Sequence, residues 1–301
     1  MTEIHAFAGK MLCGARSQLG EGPTYDPATD TAWWLNILDR ELHELHLGSG
    51  RKQVHALPMM ASVLVRVDDT RQLLATEHGL FLRDIATGGL THHADLEAGK
   101  PGNRSNDGRT HPSGALWIGT MGKRAEDRAG AIYHVASGKV TRLFDGISIP
   151  NSICFSPDGG IGYFTDTRVN KLMRVALDPA TGLPVSEPTV LVDTTGEKGG
   201  LDGSVCDADG HIWNARWGAS AVDRYAPDGH RIARYHVPAR QASCPAFIGG
   251  DGTRMLVTTA WEGMDDGARA ADPEGGATFE LGIEVKGVID PPYALSRPSR
   301  V

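Results

Sequence analysis

The chain has 301 residues and a net charge of −7, from 30 Lys and Arg residues against 37 Asp and Glu residues. The charges are mixed along the chain without a basic block, which argues against nucleic acid as a partner. The most apolar run, residues 59–65, is far shorter than a membrane-spanning helix requires, so no membrane partner is expected either.

The cysteine pattern predicts a reducing compartment. The four cysteines, Cys13, Cys154, Cys206 and Cys244, form no C-x-x-C pair, and three of them lie in apolar segments. Small buried thiols are therefore expected rather than disulfides or zinc ligands. Because the N-terminal segment also lacks a long apolar stretch, the sequence predicts a cytoplasmic protein.

Short strand-like runs separated by Asp, Asn, Gly and Pro turns recur through the chain, whereas helical periodicity is scarce. A turn followed by an apolar strand repeats six times, at intervals of roughly 40 to 50 residues. In chain order the repeats are "YDPATDTAWWLNI" (25–37), "RVDDTRQLLAT" (66–76), "THPSGALWIGT" (110–120), "FSPDGGIGYFTDT" (155–167), "CDADGHIWNAR" (206–216) and "IGGDGTRMLVTTA" (248–260). This period is typical of propeller blades, which bury their faces against one another. The sequence therefore predicts an all-β, six-bladed β-propeller in a single domain, residues 1–301.

The two ends of the chain are predicted to meet in the last blade. The last repeat continues through "GGATFELGIEVKG" (275–287), and the N-terminal segment "EIHAFAGKMLCGA" (3–15) is suited to add a strand to it. Such a strand covers an edge that would otherwise stay unpaired.

Carboxylate and amide side chains lead into four of the strands. The segments are "LGEGP" with Glu21, "NRSNDG" (103–108) with Asn106, "PNS" with Asn151 and "LDGS" with Asp202. Loops that enter the innermost strands of a propeller cluster at one end of its channel, so these side chains are expected to meet. Oxygen donors alone suit a hard or borderline divalent cation. Turns rich in Asp, Asn and Gly are also common for structural reasons, so a metal site and a purely structural role both remain open.

The same segments, together with "GTM" (119–121), "DGSVCDADGHIW" (202–213) and "FIGGDGTRMLVTTAWEGM" (247–264), resemble in order the motifs of the SMP-30/gluconolactonase/regucalcin family. The resemblance covers about residues 15–290. It implies a six-bladed propeller that opens sugar-acid lactones with the help of one divalent metal ion: Ca²⁺, Zn²⁺, Mn²⁺ or Mg²⁺. The absence of a G-x-S-x-G nucleophile elbow agrees with a reaction that has no covalent intermediate.

Carried over position by position, the resemblance implies Glu21, Asn151 and Asp202 as metal ligands, with Asp202 also acting as the general base. It implies Arg104 and Asn106 as substrate-binding residues.

Asp107, the next residue of the "NRSNDG" motif, is expected to orient the site. One position departs from the family pattern: where animal members carry an acid a few residues after "GTM", this chain has Arg124 beside Lys123. Either these basic residues, Arg124 above all, bind a carboxylate of the substrate, as in an aldaric or uronic lactone, or the loop is a solvated charged segment.

The expected function is therefore that of a metal-dependent hydrolase of aldonolactones such as gluconolactone. Two alternatives remain: a phosphotriesterase or arylesterase on the same scaffold, and a non-enzymatic, metal-binding regulatory propeller. The expected partner is a small-molecule sugar lactone, and the chain is expected to be a monomer or a homodimer.

Overall fold

Strands make up nearly all the secondary structure of residues 2–296, the part of the chain that the computed structural model describes. One short helix occurs in this range, α1 (Asp266–Ala271), and the Asp265 side chain caps it by accepting a hydrogen bond from the Ala268 amide (2.8 Å). None of the helical structure described here is long and apolar enough to cross a membrane.

Two short strands open the chain, β1 (Glu3–His5) and β2 (Lys10–Cys13). Four separate antiparallel sheets follow, each built from consecutive strands. The first contains β3 (Gly20–Asp26), β4 (Thr31–Asn36), β5 (Glu41–His46) and β6 (Lys52–Ala56). The second contains β7 (Ala61–Arg66), β8 (Arg71–Thr76), β9 (Gly79–Asp84) and β10 (Leu90–Ala94). The third contains β11 (Asn103–Thr110), β12 (Leu116–Gly122), β13 (Gly130–Ala136) and β14 (Lys139–Ile147). The fourth contains β15 (Pro150–Phe155), β16 (Ile161–Asp166), β17 (Lys171–Asp178), β18 (Leu183–Pro184) and β19 (Thr189–Asp193).

The remaining strands form one sheet of nine strands. They are β20 (Gly200–Cys206), β21 (Ile212–Trp217), β22 (Ala221–Tyr225), β23 (Arg231–His236), β24 (Gln241–Ile248), β25 (Arg254–Ala260) and β26 (Thr278–Glu280), joined by β1 and β2. The N-terminal strand β1 pairs with β23 in parallel, and β2 pairs with β26 in antiparallel orientation. The prediction that the N-terminal segment adds a strand to the last repeat is thereby confirmed.

The prediction of a six-bladed propeller is wrong. The fold is all-β and propeller-like, but within residues 2–296 four blade-like sheets stand alone and the strands after residue 200 form a single sheet. The physical reason is a backbone pairing between Trp217 at the end of β21 and Gln241 at the start of β24, which joins the last two repeats. Repeat spacing in a sequence carries no information about such a pairing between neighbouring repeats.

The first strand of each repeat lies on the inside of the fold. These inner strands, β3, β7, β11, β15, β20 and β24, contact one another in succession, and β24 returns to contact β3. At the closure the Ser243 hydroxyl donates a hydrogen bond to the Gly20 carbonyl oxygen (2.5 Å). All inner strands therefore begin at one end of a shared axis, where their first residues lie close together.

Apolar side chains fill the space between neighbouring sheets. Trp117 packs edge-on against Phe155, with 5.3 Å between ring centroids, and its Nε1 donates to the Gly182 carbonyl oxygen (2.9 Å). Full burial of a large apolar side chain contributes about 1.5–3 kcal/mol to stability. All four cysteines are buried and free, as predicted.

Candidate metal and substrate site

A break in register lies near the start of the inner strands that carry the predicted site residues. It falls between Glu21 and Thr24 in β3, Ser105 and Gly108 in β11, Asn151 and Cys154 in β15, and Leu201 and Ser204 in β20. An irregularity of this kind re-aims side chains that a regular pleat would hold within the sheet. It explains how strand residues, rather than loop residues, come to face the central axis.

All six residues predicted to carry function line one cavity of about 380 Å³ at this end of the axis. They are Glu21, Arg104, Asn106, Arg124, Asn151 and Asp202. Four different inner strands and the loop after β12 supply them, so the fold gathers residues that are up to 181 positions apart in the chain, from 21 to 202. The structure brings them together; their individual roles remain predictions.

Glu21 and Asp202 are two acids in a poorly solvated place. Burial raises the pKa of both carboxyls and is the largest cause for each of them. For Asp202 the Glu21 charge is the largest cause after burial, and the Asp107 charge adds to it. For Glu21 the Gly22 amide (3.1 Å) and the Arg104 charge oppose the rise in pKa. A cation between the two carboxylates would therefore stabilise their ionised forms.

Asn151 is held by hydrogen bonds at both ends of its amide. Its Nδ2 donates to the Thr167 hydroxyl (2.8 Å), and its Oδ1 accepts from Asn106 Nδ2 (3.0 Å). Thr167 in turn donates to the carbonyl oxygen of Leu201 (2.7 Å), and Leu201 is the residue before Asp202 in β20. These hydrogen bonds fix the orientation of the Asn151 amide, and Asn151 lines the cavity.

The backbone around Asp202 is fixed from behind. Its carbonyl oxygen accepts hydrogen bonds from the Ser152 hydroxyl (2.6 Å) and from Asn214 Nδ2 (2.8 Å), both fully buried. Gly203 follows, and a Cβ at that position would lie 2.4 Å from the Cys244 sulfur. Glycine therefore lets β20 approach β24 closely while the Asp202 side chain turns toward the cavity.

Arg104 lies beside the two acids and is itself buried. One of its nitrogens, Nη1, donates to the Ser105 carbonyl oxygen (2.9 Å) and to Asn106 Oδ1 (2.8 Å). Asn106 donates in addition to the Pro150 carbonyl oxygen (2.9 Å). Arg104 and Asn106 thus form one rigid unit with the start of β15, and the described hydrogen bonds leave the Nη2 and Nε groups of Arg104 available.

Asp107 has a structural part in this arrangement. Its carboxylate accepts hydrogen bonds from the Gly108 amide (2.8 Å) and the Ile153 amide (2.7 Å), which ties β11 to β15. Burial raises its pKa, while Arg109 and these two amides oppose the rise. The prediction that Asp107 orients the site agrees with these bonds.

The two basic residues of the loop after β12 that line the cavity, Lys123 and Arg124, already have acidic partners. Lys123 Nζ lies 2.6 Å from Glu77 Oε2, and Arg124 Nε lies 3.0 Å from Glu126 Oε1. The side chain of Arg124 is 88 % exposed, although the residue lines the cavity rim. The structure therefore shows no basic group of this loop directed without a partner toward the cavity within the described residues.

Three residues that line the cavity were not singled out from the sequence: Thr167, Trp217 and Glu262. Each lies at or just after the end of a second strand, β16, β21 or β25. Second strands run antiparallel to inner strands and so end where inner strands begin. The same rule already placed the loop after "GTM" at the site, and applying it to "TTAWEGM" would have found Glu262.

The donor set fits a divalent cation. Neither Glu21 nor Asp202 has a described Lys or Arg nitrogen within 4.0 Å of its carboxylate. The pKa values of both are raised by burial and by the charge of Asp107. Buried carboxylates without a counter-charge are unfavourable, and carboxylate and amide oxygens are ligands that Ca²⁺ and Mg²⁺ prefer. No three His, Cys, Asp or Glu side chains in the described range gather as a metal cluster, so an amide such as that of Asn151 has to complete the set.

Comparison with known proteins gives a consistent picture. Residues 19–261 match the family described as SMP-30/Gluconolactonase/LRE-like region. A protein of Rhizobium meliloti, provisionally named a sugar lactone lactonase, is 63% identical over 98% of this chain and 100% of its own length. The L-arabinolactonase of Azospirillum brasilense is 35% identical over 93% of both chains. The crystal structure of a calcium-binding protein, regucalcin, from Agrobacterium tumefaciens is 66% identical, with a TM-score of 0.97 over 98% of this chain and 100% of that one.

Proposed function

The chain belongs to the SMP-30/gluconolactonase/LRE-like family, and from this premise we propose that it is a hydrolase that opens sugar lactones. The observation that supports the proposal most strongly is the convergence of Glu21, Arg104, Asn106, Asn151 and Asp202 on one cavity. The acids, amides and guanidinium of these five residues suit the hydroxyls and carbonyl of a small polyhydroxy ester.

Glu21, Asn151 and Asp202 would hold one divalent cation, with Ca²⁺, Zn²⁺, Mn²⁺ and Mg²⁺ as the candidates. When bound, such a cation supplies Lewis-acid polarisation of an ester carbonyl. A calcium-binding protein is among the similar solved structures, which favours testing Ca²⁺ first.

The residues of the chain itself would orient the substrate and move a proton. The free Nη2 and Nε groups of Arg104 donate hydrogen bonds to the sugar hydroxyls and the ring oxygen, and Asn106 Oδ1 accepts from a sugar hydroxyl, which sets the lactone carbonyl toward the acids. An Oδ of Asp202 accepts the proton of the attacking water as the oxygen–carbon bond forms. When the ring C–O bond breaks, that proton passes to the leaving alkoxide oxygen, so the product is the open-chain hydroxy acid and Asp202 is restored.

Turnover of a lactone panel tests the proposal. The panel contains hexono- and pentonolactones, including L-arabinonolactone because a relative at 35% identity bears that activity in its name. Hydrolysis is followed by acid release, before and after chelation and after Ca²⁺, Mn²⁺, Mg²⁺ or Zn²⁺ is returned. We expect saturable lactone opening that chelation removes and a divalent cation restores.

Paraoxon and phenyl acetate serve as comparison substrates in the same assay. Faster turnover of either ester than of every lactone would replace the proposal with a phosphotriesterase or arylesterase. Cation binding without turnover of any substrate would leave the non-enzymatic propeller as the function.

A further inference from the structure

Glu262 is a third acid of the cavity, and the mechanism above gives it no part. It follows β25 and lines the same cavity as Glu21 and Asp202. Its backbone is fixed, since the Glu262 carbonyl oxygen accepts a hydrogen bond from Gln241 Nε2 (3.0 Å). No hydrogen bond to its carboxylate occurs within the described residues, so both oxygens remain available to a molecule bound in the cavity.

Arg104 is the basic residue that interacts with Glu262. Among the acids around Arg104, Glu262 has the largest effect on the pKa of the guanidinium, ahead of Glu21 and Asp202. Burial raises the pKa of Glu262, and Arg104 opposes that rise. Arg104 and Glu262 therefore line the cavity as a donor and an acceptor of opposite charge, a pair that suits a hydroxyl group because a hydroxyl both accepts and donates.

The remaining charges of the cavity are matched in a similar way. Lys123 pairs with Glu77 and Arg124 pairs with Glu126, so these two cavity-lining basic residues add no unmatched positive charge. A divalent cation would offset Glu21 and Asp202. The cavity then has no cation left over for a carboxylate on the substrate, and a carboxylate placed against Glu262 would meet a like charge.

We propose that Glu262 is a specificity-determining residue that accepts hydrogen bonds from hydroxyls of a neutral aldonolactone and rejects lactones with a second carboxylate. The inference rests on the proposed lactonase function and names its substrate class. It contradicts the alternative in which Lys123 and Arg124 bind the carboxylate of an aldaric or uronic lactone.

A matched pair of substrates tests the role of Glu262. The values of kcat/KM are measured for D-glucono-1,4-lactone and for D-glucaro-1,4-lactone, which has a carboxylate in place of the C6 hydroxymethyl group, with wild type, Glu262→Gln and Glu262→Asp. Wild type should favour the neutral lactone. Because Glu262→Gln removes the like charge, it should shift the ratio of the two values toward the charged lactone by about tenfold or more, and Glu262→Asp should keep most of the wild-type preference.

Asp266→Asn is the control. Like Glu262 it lies between β25 and β26, but it is exposed and does not line the cavity. Its ratio should equal that of wild type. A wild-type preference for the glucarolactone, or an unchanged ratio in Glu262→Gln, overturns the inference while lactonase activity stands. Failure of wild type to open any lactone would instead overturn the proposed function.

Discussion

The side-chain oxygen of Asn151 accepts a hydrogen bond from Asn106 Nδ2 at 3.0 Å, which joins a predicted cation ligand to a predicted substrate-binding residue. The other end of the same amide donates to Thr167 at 2.8 Å. Under the proposed function, cation binding and substrate binding would depend on one shared amide orientation, and Thr167 holds that orientation by accepting from Asn151 Nδ2.

Thr167→Val should weaken cation binding. The substitution keeps the shape of the side chain but removes the hydroxyl that accepts from Asn151 Nδ2, so the amide is no longer held with its oxygen at the cavity. Partners that orient a metal ligand typically contribute 10–100-fold to affinity, and we expect a loss of about tenfold in Ca²⁺ affinity by calorimetry. Thr167→Ser retains the hydroxyl and should bind as wild type does. Equal affinities for wild type and Thr167→Val would contradict the orienting role.

Asp202→Asn should lose turnover even when the divalent cation is saturating. The amide cannot accept a proton from water, and general-base contributions are roughly 10²–10⁴-fold in rate. Asn151→Ala separates this effect from cation binding, because it should raise the cation concentration required and recover much of its kcat at saturation. Circular dichroism checks the fold, and Asp228→Asn, in an exposed turn, serves as a control. Recovery of the wild-type kcat by Asp202→Asn at high cation would leave Asp202 as a ligand only.

The parts of this site that sequence could predict are the residues at the starts of inner strands. Glu21, Asn151 and Asp202 could be identified from the sequence because they belong to motifs, and because the inner strands of a propeller begin at one end. Glu262 was missed since it lies after a second strand, where only the antiparallel pairing of β24 and β25 brings it to the same end. The partner of Lys123 was also beyond reach, because Glu77 follows β8 in another sheet.

The blade count shows a different limit. Six repeats are present in the sequence, and their turns were placed correctly, as at Gly159 and Gly210 with φ values of 71° and 81°. Whether two neighbouring repeats remain separate depends on backbone pairing at their ends, which is set by the distance between Trp217 and Gln241 in the folded chain. Backbone hydrogen bonds leave little trace in side-chain patterns, so the nine-stranded sheet could not be predicted.

The stability gained from a bound cation should increase with pH. In the folded, cation-free protein the pKa values of Glu21 and Asp202 lie above their ordinary values of 4.5 and 3.8. Ionisation of these acids therefore favours the unfolded chain, and their effect on stability becomes more unfavourable as pH rises above about 5. Ca²⁺ competes with protons for the same oxygens, so its increase in Tm should be larger at about pH 8 than at about pH 5.

Thermal unfolding of chelated and Ca²⁺-loaded protein at the two pH values measures this difference. The variant Asp202→Asn, which has one carboxylate fewer, should show a smaller Ca²⁺ effect at both. An increase in Tm that is independent of pH would show that the cation binds away from this acid pair.

The C-terminal segment should stabilise the fold through one charged pair. Asp290 pairs with Arg109, a buried residue of β11, and Arg109 also donates to the Ile153 carbonyl oxygen (3.3 Å). Asp290→Asn would leave the guanidinium without its counter-charge. Breaking a buried pair costs about 3–5 kcal/mol, and because the Asp290 side chain is one-third exposed we expect about 1–3 kcal/mol by urea unfolding. Asp209→Asn removes the exposed pair with Lys286 and should cost less than Asp290→Asn does, because solvent screens an exposed pair. Equal losses for the two variants would show that the Arg109–Asp290 pair contributes no more to stability than an exposed pair does.

Gly203→Ala should damage the site through the backbone. The added Cβ would lie 2.4 Å from the sulfur and 2.6 Å from the Cβ of Cys244, so β20 has to move away from β24. Overpacking of this kind costs about 1–3 kcal/mol, and because Asp202 is the preceding residue we also expect lower cation affinity. Thermal unfolding and Ca²⁺ calorimetry measure the two effects. Gly250→Ala, where nothing lies within 4 Å of the added Cβ, should leave both unchanged. If Gly203→Ala lowers Tm but binds Ca²⁺ as wild type does, then the close approach of β20 to β24 supports the fold without positioning Asp202.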